Sequence, residues 1–229
     1  MNKEKLKKIK LLYYPYKAVK RIVTGIIYYV QYTISLFYIS KNTKRVEKKI
    51  KNNEVLNVIF VVQYIPGWNK LEPIYSKMLK DQRFNPIIVC VPLNIQNHIL
   101  MDDNGNDTYQ YFIEHGYKAI DALLDDGSWF DLQKLEPDYV FHSRPYNAFM
   151  PKCYTSGIIV RYALICNVIY GMCLALNDQK VCINKDYFKD VFAYFSSDLP
   201  ESALYRNIFK LGSMFHLQRC YPYGATGLE

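Results

Sequence analysis

The chain has 229 residues, half of them hydrophobic and 16% aromatic, a composition that builds a core and excludes a disordered polymer. Its formal net charge of +8 is unevenly placed: residues 1–51 hold 14 of the 29 Lys and Arg against two acids, a net +12, and residues 52–229 hold 15 against 19, a net −4. A body of negative net charge argues against nucleic acid as a partner, and the basic segment favours an arm that seeks an anionic surface.

Residues 3–21 are dense in lysine, and Ile22 to Ile39 then runs without a charge before Lys41, Lys44 and Arg45 restore the basic character. A signal peptide is a poor reading, because no small-residue cleavage site follows the apolar run. A transmembrane helix is possible by length, but the run is short, includes Thr24, Gln31, Thr33 and Ser35, and is basic on both flanks. A helix lying in the membrane interface fits better, since Tyr28, Tyr29, Tyr32 and Tyr38 suit the headgroup zone. The remaining reading is an ordinary helix packed on its own domain. Residues 1–51 are therefore expected to be a basic, membrane-associating helical arm, and 52–229 a separate α/β domain.

In that domain Val55 to Val62 reads as a buried parallel strand, followed by a breaker-rich loop, Gln63 to Trp68. Lys70 to Asp81 has helical spacing with one apolar face. Pro86 to Val91 is a second strand, and Asn94 to Asn106 a loop. A helix capped at Asp107 or Thr108 runs to His115 and ends at Gly116. Tyr117 to Ile120 is a short strand, Asp125-Asp126-Gly127 a turn, and Leu132 to Leu135 a short helix. Tyr139 to Phe141 and Ala163 to Tyr170 are two further strands. Tyr187 to Phe195 packs as a helix or an outer strand, and Glu201 to Leu217 as a helix. Strands alternating with helices predict a doubly wound, mostly parallel, Rossmann-like sheet.

Ligands of such sheets bind beyond the carboxyl ends of the strands. That rule singles out His142, a candidate general base, with Arg144, a candidate phosphate fork, and Tyr146, all in the loop after Tyr139–Phe141. Tyr170 and Gly171 end the next strand and would line the same cleft wall. The bland alternative has His142 capping its strand and Arg144 paired with an acid such as Asp138. After the first strand, Gly67 and Trp68 read either as local packing or as a ligand shelf, and Lys70 either as a solvated lysine or as an anion contact. There is no glycine-rich phosphate loop, no G-x-S-x-G and no H-E-x-x-H. The cysteines, Cys90, Cys153, Cys166, Cys173, Cys182 and Cys220, form no C-x-x-C pair, so free thiols are expected, with no metal and no cofactor.

The order of these features resembles a family. A first strand, an aromatic segment with Trp68 and Pro73-Ile74-Tyr75, then Pro137-Asp138-Tyr139-Val140-Phe141 leading to Pro145-Tyr146, and a strand ending Tyr170-Gly171 are similar to the N-terminal half of CDP-glycerol glycerophosphotransferase-like enzymes. The resemblance covers roughly residues 55–175 and the style of the basic arm. It implies a two-domain GT-B transferase, peripheral on the cytoplasmic face of the membrane, that builds teichoic-acid or capsule-type polymers. It further implies that this half faces a glycerol-phosphate or glycan acceptor, and that a second domain binds CDP-glycerol or a nucleotide-sugar donor. The Trp-His-Gly-Thr motif of such polymerases is missing, so His142 is proposed as base by position alone. The chain is expected to be truncated before the donor domain and inactive alone. The alternatives are a non-catalytic, membrane-attached flavodoxin-like binding module and half of a sugar-nucleotide GT-B transferase.

Overall fold

The computed structural model describes residues 10–63, 65–95, 98–100, 107–142, 144–168, 184–196 and 208–222. The chain divides into two compact units, Met1–Ile34 and Ser35–Glu229. The helix α1 (Lys10–Lys51) supplies the described part of the first and the opening element of the second.

In the first unit Val19, Ile22, Val23, Ile26, Ile27, Val30 and Ile34 are all exposed. Their three- and four-residue spacing puts them on one helix face, an apolar stripe turned to the outside. The hydroxyls of Thr24 and Thr33 donate to the carbonyls of Lys20 (2.7 Å) and Tyr29 (2.9 Å), which hides polar groups within the apolar run. α1 is long and apolar enough to cross a membrane by length and composition.

The second unit is built on a seven-stranded sheet: β1 (Leu56–Val62), β2 (Phe84–Cys90), β5 (Ala119–Asp121), β6 (Tyr139–His142), β7 (Leu164–Val168), β8 (Val191–Ser196) and β9 (Arg219–Pro222). Every pairing in it is parallel, in the order β5-β2-β1-β6-β7-β8-β9. The chain winds outward from β1 through β2 to β5, then returns to the other side of β1 and winds outward again, which is the order of a Rossmann-like sheet. The reversal lies between β1 and β6, where Val61 is the register partner of His142. β1, β6 and β7 are apolar runs buried on both faces, as central parallel strands must be. Pro86 falls where β2 is paired on the β1 side alone, a place that tolerates a missing N–H.

Five expectations change. The helix α2 (Ile65–Leu79) begins at the supposed loop, so Gly67 and Trp68 are helical; Pro66 stands in the first turn, where no N–H is needed. The expected loop 94–106 contains a small antiparallel hairpin, β3 (Leu93–Ile95) with β4 (His98–Leu100). Residues 187–195 divide into a short helix, α5 (Lys185–Phe188), and β8. Of the expected helix Glu201–Leu217, residues 201–207 lie outside the described residues; the described part holds α6 (Lys210–Met214), which stops short of Leu217 and is followed by β9 at the sheet edge. Asp138 pairs with α1 and not with Arg144. The helix α3 (Asp107–Glu114) and its stop at Gly116, with φ of 76°, are as expected.

From Ser35 onward α1 docks on this body. Leu36, Ile39, Asn42 and Val46 are buried at helical spacing. Asn42 Nδ2 donates to the carbonyls of Val160 (2.8 Å) and Ala163 (3.3 Å), and Arg45 Nη2 to that of Pro137 (2.8 Å). Lys49 Nζ lies 2.8 Å from the fully buried Asp138, which also accepts the Asn57 N–H at 3.0 Å. Asp138→Asn keeps an acceptor for that N–H but loses the ion pair with a partly exposed lysine. Urea melts should show it less stable by about 1–2 kcal/mol. A change below about 0.5 kcal/mol would mean the pair is only a surface contact.

Candidate functional site

The carboxyl edge of the sheet at the reversal is polar, buried and held by side-chain amides. Gln63, one residue past β1, is buried, and its Nε2 donates to the carbonyls of Pro92 (3.1 Å) and Phe149 (2.6 Å). It thereby ties the end of β1 to the segments that follow both of its neighbours. His142 ends β6 and Asn167 lies opposite it on β7, both buried. Asn167 Nδ2 donates to the His142 carbonyl at 3.1 Å. Tyr187, from α5, brings its hydroxyl to 3.1 Å from His142 Nδ1. Among the described residues, His142 Nε2 and Asn167 Oδ1 have no hydrogen-bond partner. Burial penalises the charged imidazole and lowers the His142 pKa to about 4, so the ring is neutral at pH 7. Burial also raises the Tyr187 phenol well above its ordinary value.

The loop after β6 carries Arg144, half-buried, with its guanidinium 4.8 Å from the Phe149 ring centroid and 5.5 Å from that of Tyr146. The guanidinium thus lies against both rings in cation–π contact. The loop is fixed from below. Asn147 exchanges two bonds with Ser156, Nδ2 to Oγ at 2.9 Å and Oδ1 from the backbone N–H at 2.8 Å. Ser156, which opens the short helix α4 (Ser156–Ile159), passes its own proton to Asp190 Oδ2 at 2.7 Å. Asp190 is fully buried and also accepts from Ser35 Oγ of α1 (2.5 Å) and from Lys189 Nζ (2.9 Å).

The residues expected at the site are thus dispersed. Arg144 and Tyr146 are brought together. His142 stands at the expected strand end but is wholly enclosed. Gly67 and Trp68 are buried in α2, and Trp68 is ringed by Phe60, Tyr75, Phe112 and Tyr117 with centroids 4.9 to 6.1 Å away, which is the packing alternative. Lys70 is exposed on the same helix. Tyr170 and Gly171 lie outside the described residues. Gln63, Asn167, Tyr187 and Asp190 escaped sequence reasoning. Asn167 carried a signal, as the one amide within the apolar run Leu164–Val168. No group of His, Cys, Asp and Glu among the described residues is arranged to hold a metal.

Arg144, His142 and Asn167 all lie at the carboxyl edge of the sheet beside the reversal, where sheets of this strand order take their ligands. Compared with protein-family models and with curated proteins, the chain matches none.

Proposed function

We propose that the chain is the acceptor-side, Rossmann-like half of a GT-B transferase of the CDP-glycerol glycerophosphotransferase type, acting at the cytoplasmic face of the membrane in the synthesis of a teichoic-acid-like or capsule polymer. The observation that carries the reading is the clamped Arg144–Phe149 loop beyond the reversal of a parallel sheet. That is where such a sheet receives a ligand, and a guanidinium held there suits the phosphate of a glycerol-phosphate acceptor. His142 Nε2, the ring nitrogen that Tyr187 leaves unengaged, is enclosed at the same strand end. In this architecture the donor, CDP-glycerol or a nucleotide sugar, is bound by a second domain, and this domain binds the acceptor. The basic arm and its outward apolar stripe support a peripheral membrane location.

The test is titration calorimetry with glycerol phosphate on the full chain and on Arg144→Ala. Loss of a charge-assisted contact should weaken binding about ten- to a hundredfold. Equal affinity for the two proteins would sink the reading. In parallel, vesicles with anionic lipid should capture the chain and release it as salt rises, because each nearby Lys or Arg contributes roughly 1 kcal/mol to a screened attraction. Recovery only with detergent would instead assign α1 as a true span.

A second reading, a non-catalytic membrane-attached binding module, is favoured by the complete burial of His142. It predicts that no variant at His142 changes turnover when the donor domain is supplied.

A further inference from the structure

We infer that Tyr187 locks His142 in its Nε2–H tautomer, so that at the carboxyl edge of the sheet His142 is a hydrogen-bond donor and not a proton acceptor. Tyr187 acts here as a positioning residue.

The argument follows the protons. Asn167 is oriented by its own backbone contact: Nδ2 donates to the His142 carbonyl at 3.1 Å, and a carbonyl can only accept. Its amide nitrogen is therefore the group on that side, and Oδ1 is left without a partner among the described residues. That oxygen therefore does not take the phenol proton of Tyr187, which, enclosed in the core, needs an acceptor. Among the described residues that acceptor is His142 Nδ1, 3.1 Å away. A neutral imidazole that accepts at Nδ1 carries its proton at Nε2. The bond from Tyr187 Oη–H to His142 Nδ1 thus leaves one N–H on the ring at the end of β6.

Tyr187 reaches His142 from across 45 positions of sequence, and both residues are fully enclosed. The enclosed imidazole is neutral at pH 7, so the lone pair at Nδ1 is committed and Nε2 offers no second one. The ring therefore cannot remove a hydroxyl proton. The general-base role expected from position alone therefore passes to another group. The inference needs no bound ligand and stands apart from the transferase reading.

The experiment is two-bond 1H–15N correlation on the full chain with 15N-labelled histidine at pH 7. There are four histidines, and His142→Gln identifies the His142 signals by their disappearance. The expected pattern is that of a neutral ring with Nε2 protonated and Nδ1 bare. In Tyr187→Phe, which keeps the ring and removes only the hydroxyl, the pattern should move toward a mixture of the two tautomers. A wild-type Nδ1–H pattern, or a Tyr187→Phe pattern identical to wild type, overturns the inference. Should Tyr187→Phe fail to fold, the wild-type pattern decides by itself. Absence of glycerol-phosphate binding would remove the transferase reading and leave this result untouched.

Discussion

Replacing Asp190 with alanine should lower the stability of the chain by about 3–5 kcal/mol, the range for removing one member of a buried ion pair. The carboxylate is fully buried and accepts three hydrogen bonds, from Ser35, Ser156 and Lys189. Its loss takes an acceptor from two buried hydroxyls and a counter-charge from an ammonium that is 8% exposed. Lys189 keeps Asp186, at 3.2 Å, and the Asp186 carbonyl, at 2.7 Å, which places the expected cost at the lower end of the range. Asp190→Asn should cost less, because an amide still serves the hydroxyls. Urea melts followed by far-ultraviolet circular dichroism test both. A loss below about 1 kcal/mol for the alanine variant would show that the serines find other partners. Because Ser156 also holds Asn147, the variant should loosen the Arg144 loop, and glycerol-phosphate affinity should fall with stability.

Phe60→Ala should cost about 3–5 kcal/mol. Phe60 is fully buried in the middle of β1, stacked on Phe141 at 5.0 Å and meeting Tyr75 and Trp68 edge-on at 5.6 and 6.1 Å. Alanine removes a ring from the meeting point of β1, β6 and α2, and strand backbones cannot close the gap. Phe60→Leu should recover much of the loss, since it restores apolar volume without the ring geometry. Thermal melts of the three proteins read the series directly. Equal stability for the leucine and alanine variants would mean that ring stacking, and not filled volume, holds the cluster.

The sheet was legible because its central strands are unbroken apolar runs. Val58 to Val62, Val140-Phe141 and Leu164-Ile165-Cys166 need burial on both faces, and only a parallel sheet covered by helices provides it. Turns with an obligatory backbone shape were equally plain, as at Gly116 and Gly127, whose φ values are 76° and 78°. Pro66-Gly67 misled because a proline is a breaker inside a helix and an initiator in its first turn, and the residues themselves do not say which. β9, Arg-Cys-Tyr-Pro, has little strand character of its own and is defined by the neighbour it pairs with. At the candidate site, position along the strand marked His142 and Arg144. Their surroundings were hidden because Tyr187, Asn167 and Gln63 arrive from distant segments through contacts that no local pattern records. The basic partner of Asp138 was hidden for the same reason: it lies on α1, 89 residues earlier.

That separation has a consequence for synthesis. Lys49 leaves the ribosome 89 residues ahead of Asp138, which at typical elongation rates is a lag of roughly 4–18 s. The bond from Arg45 to Pro137 and the bonds from Asn42 to Val160 and Ala163 wait as long or longer. Throughout that interval the segment that forms α1 is a nascent basic, apolar peptide whose own docking surface has not been made. A chaperone or lipid that engages it cotranslationally competes with no intramolecular partner, so the order of translation, and not affinity alone, sets which contact α1 makes first.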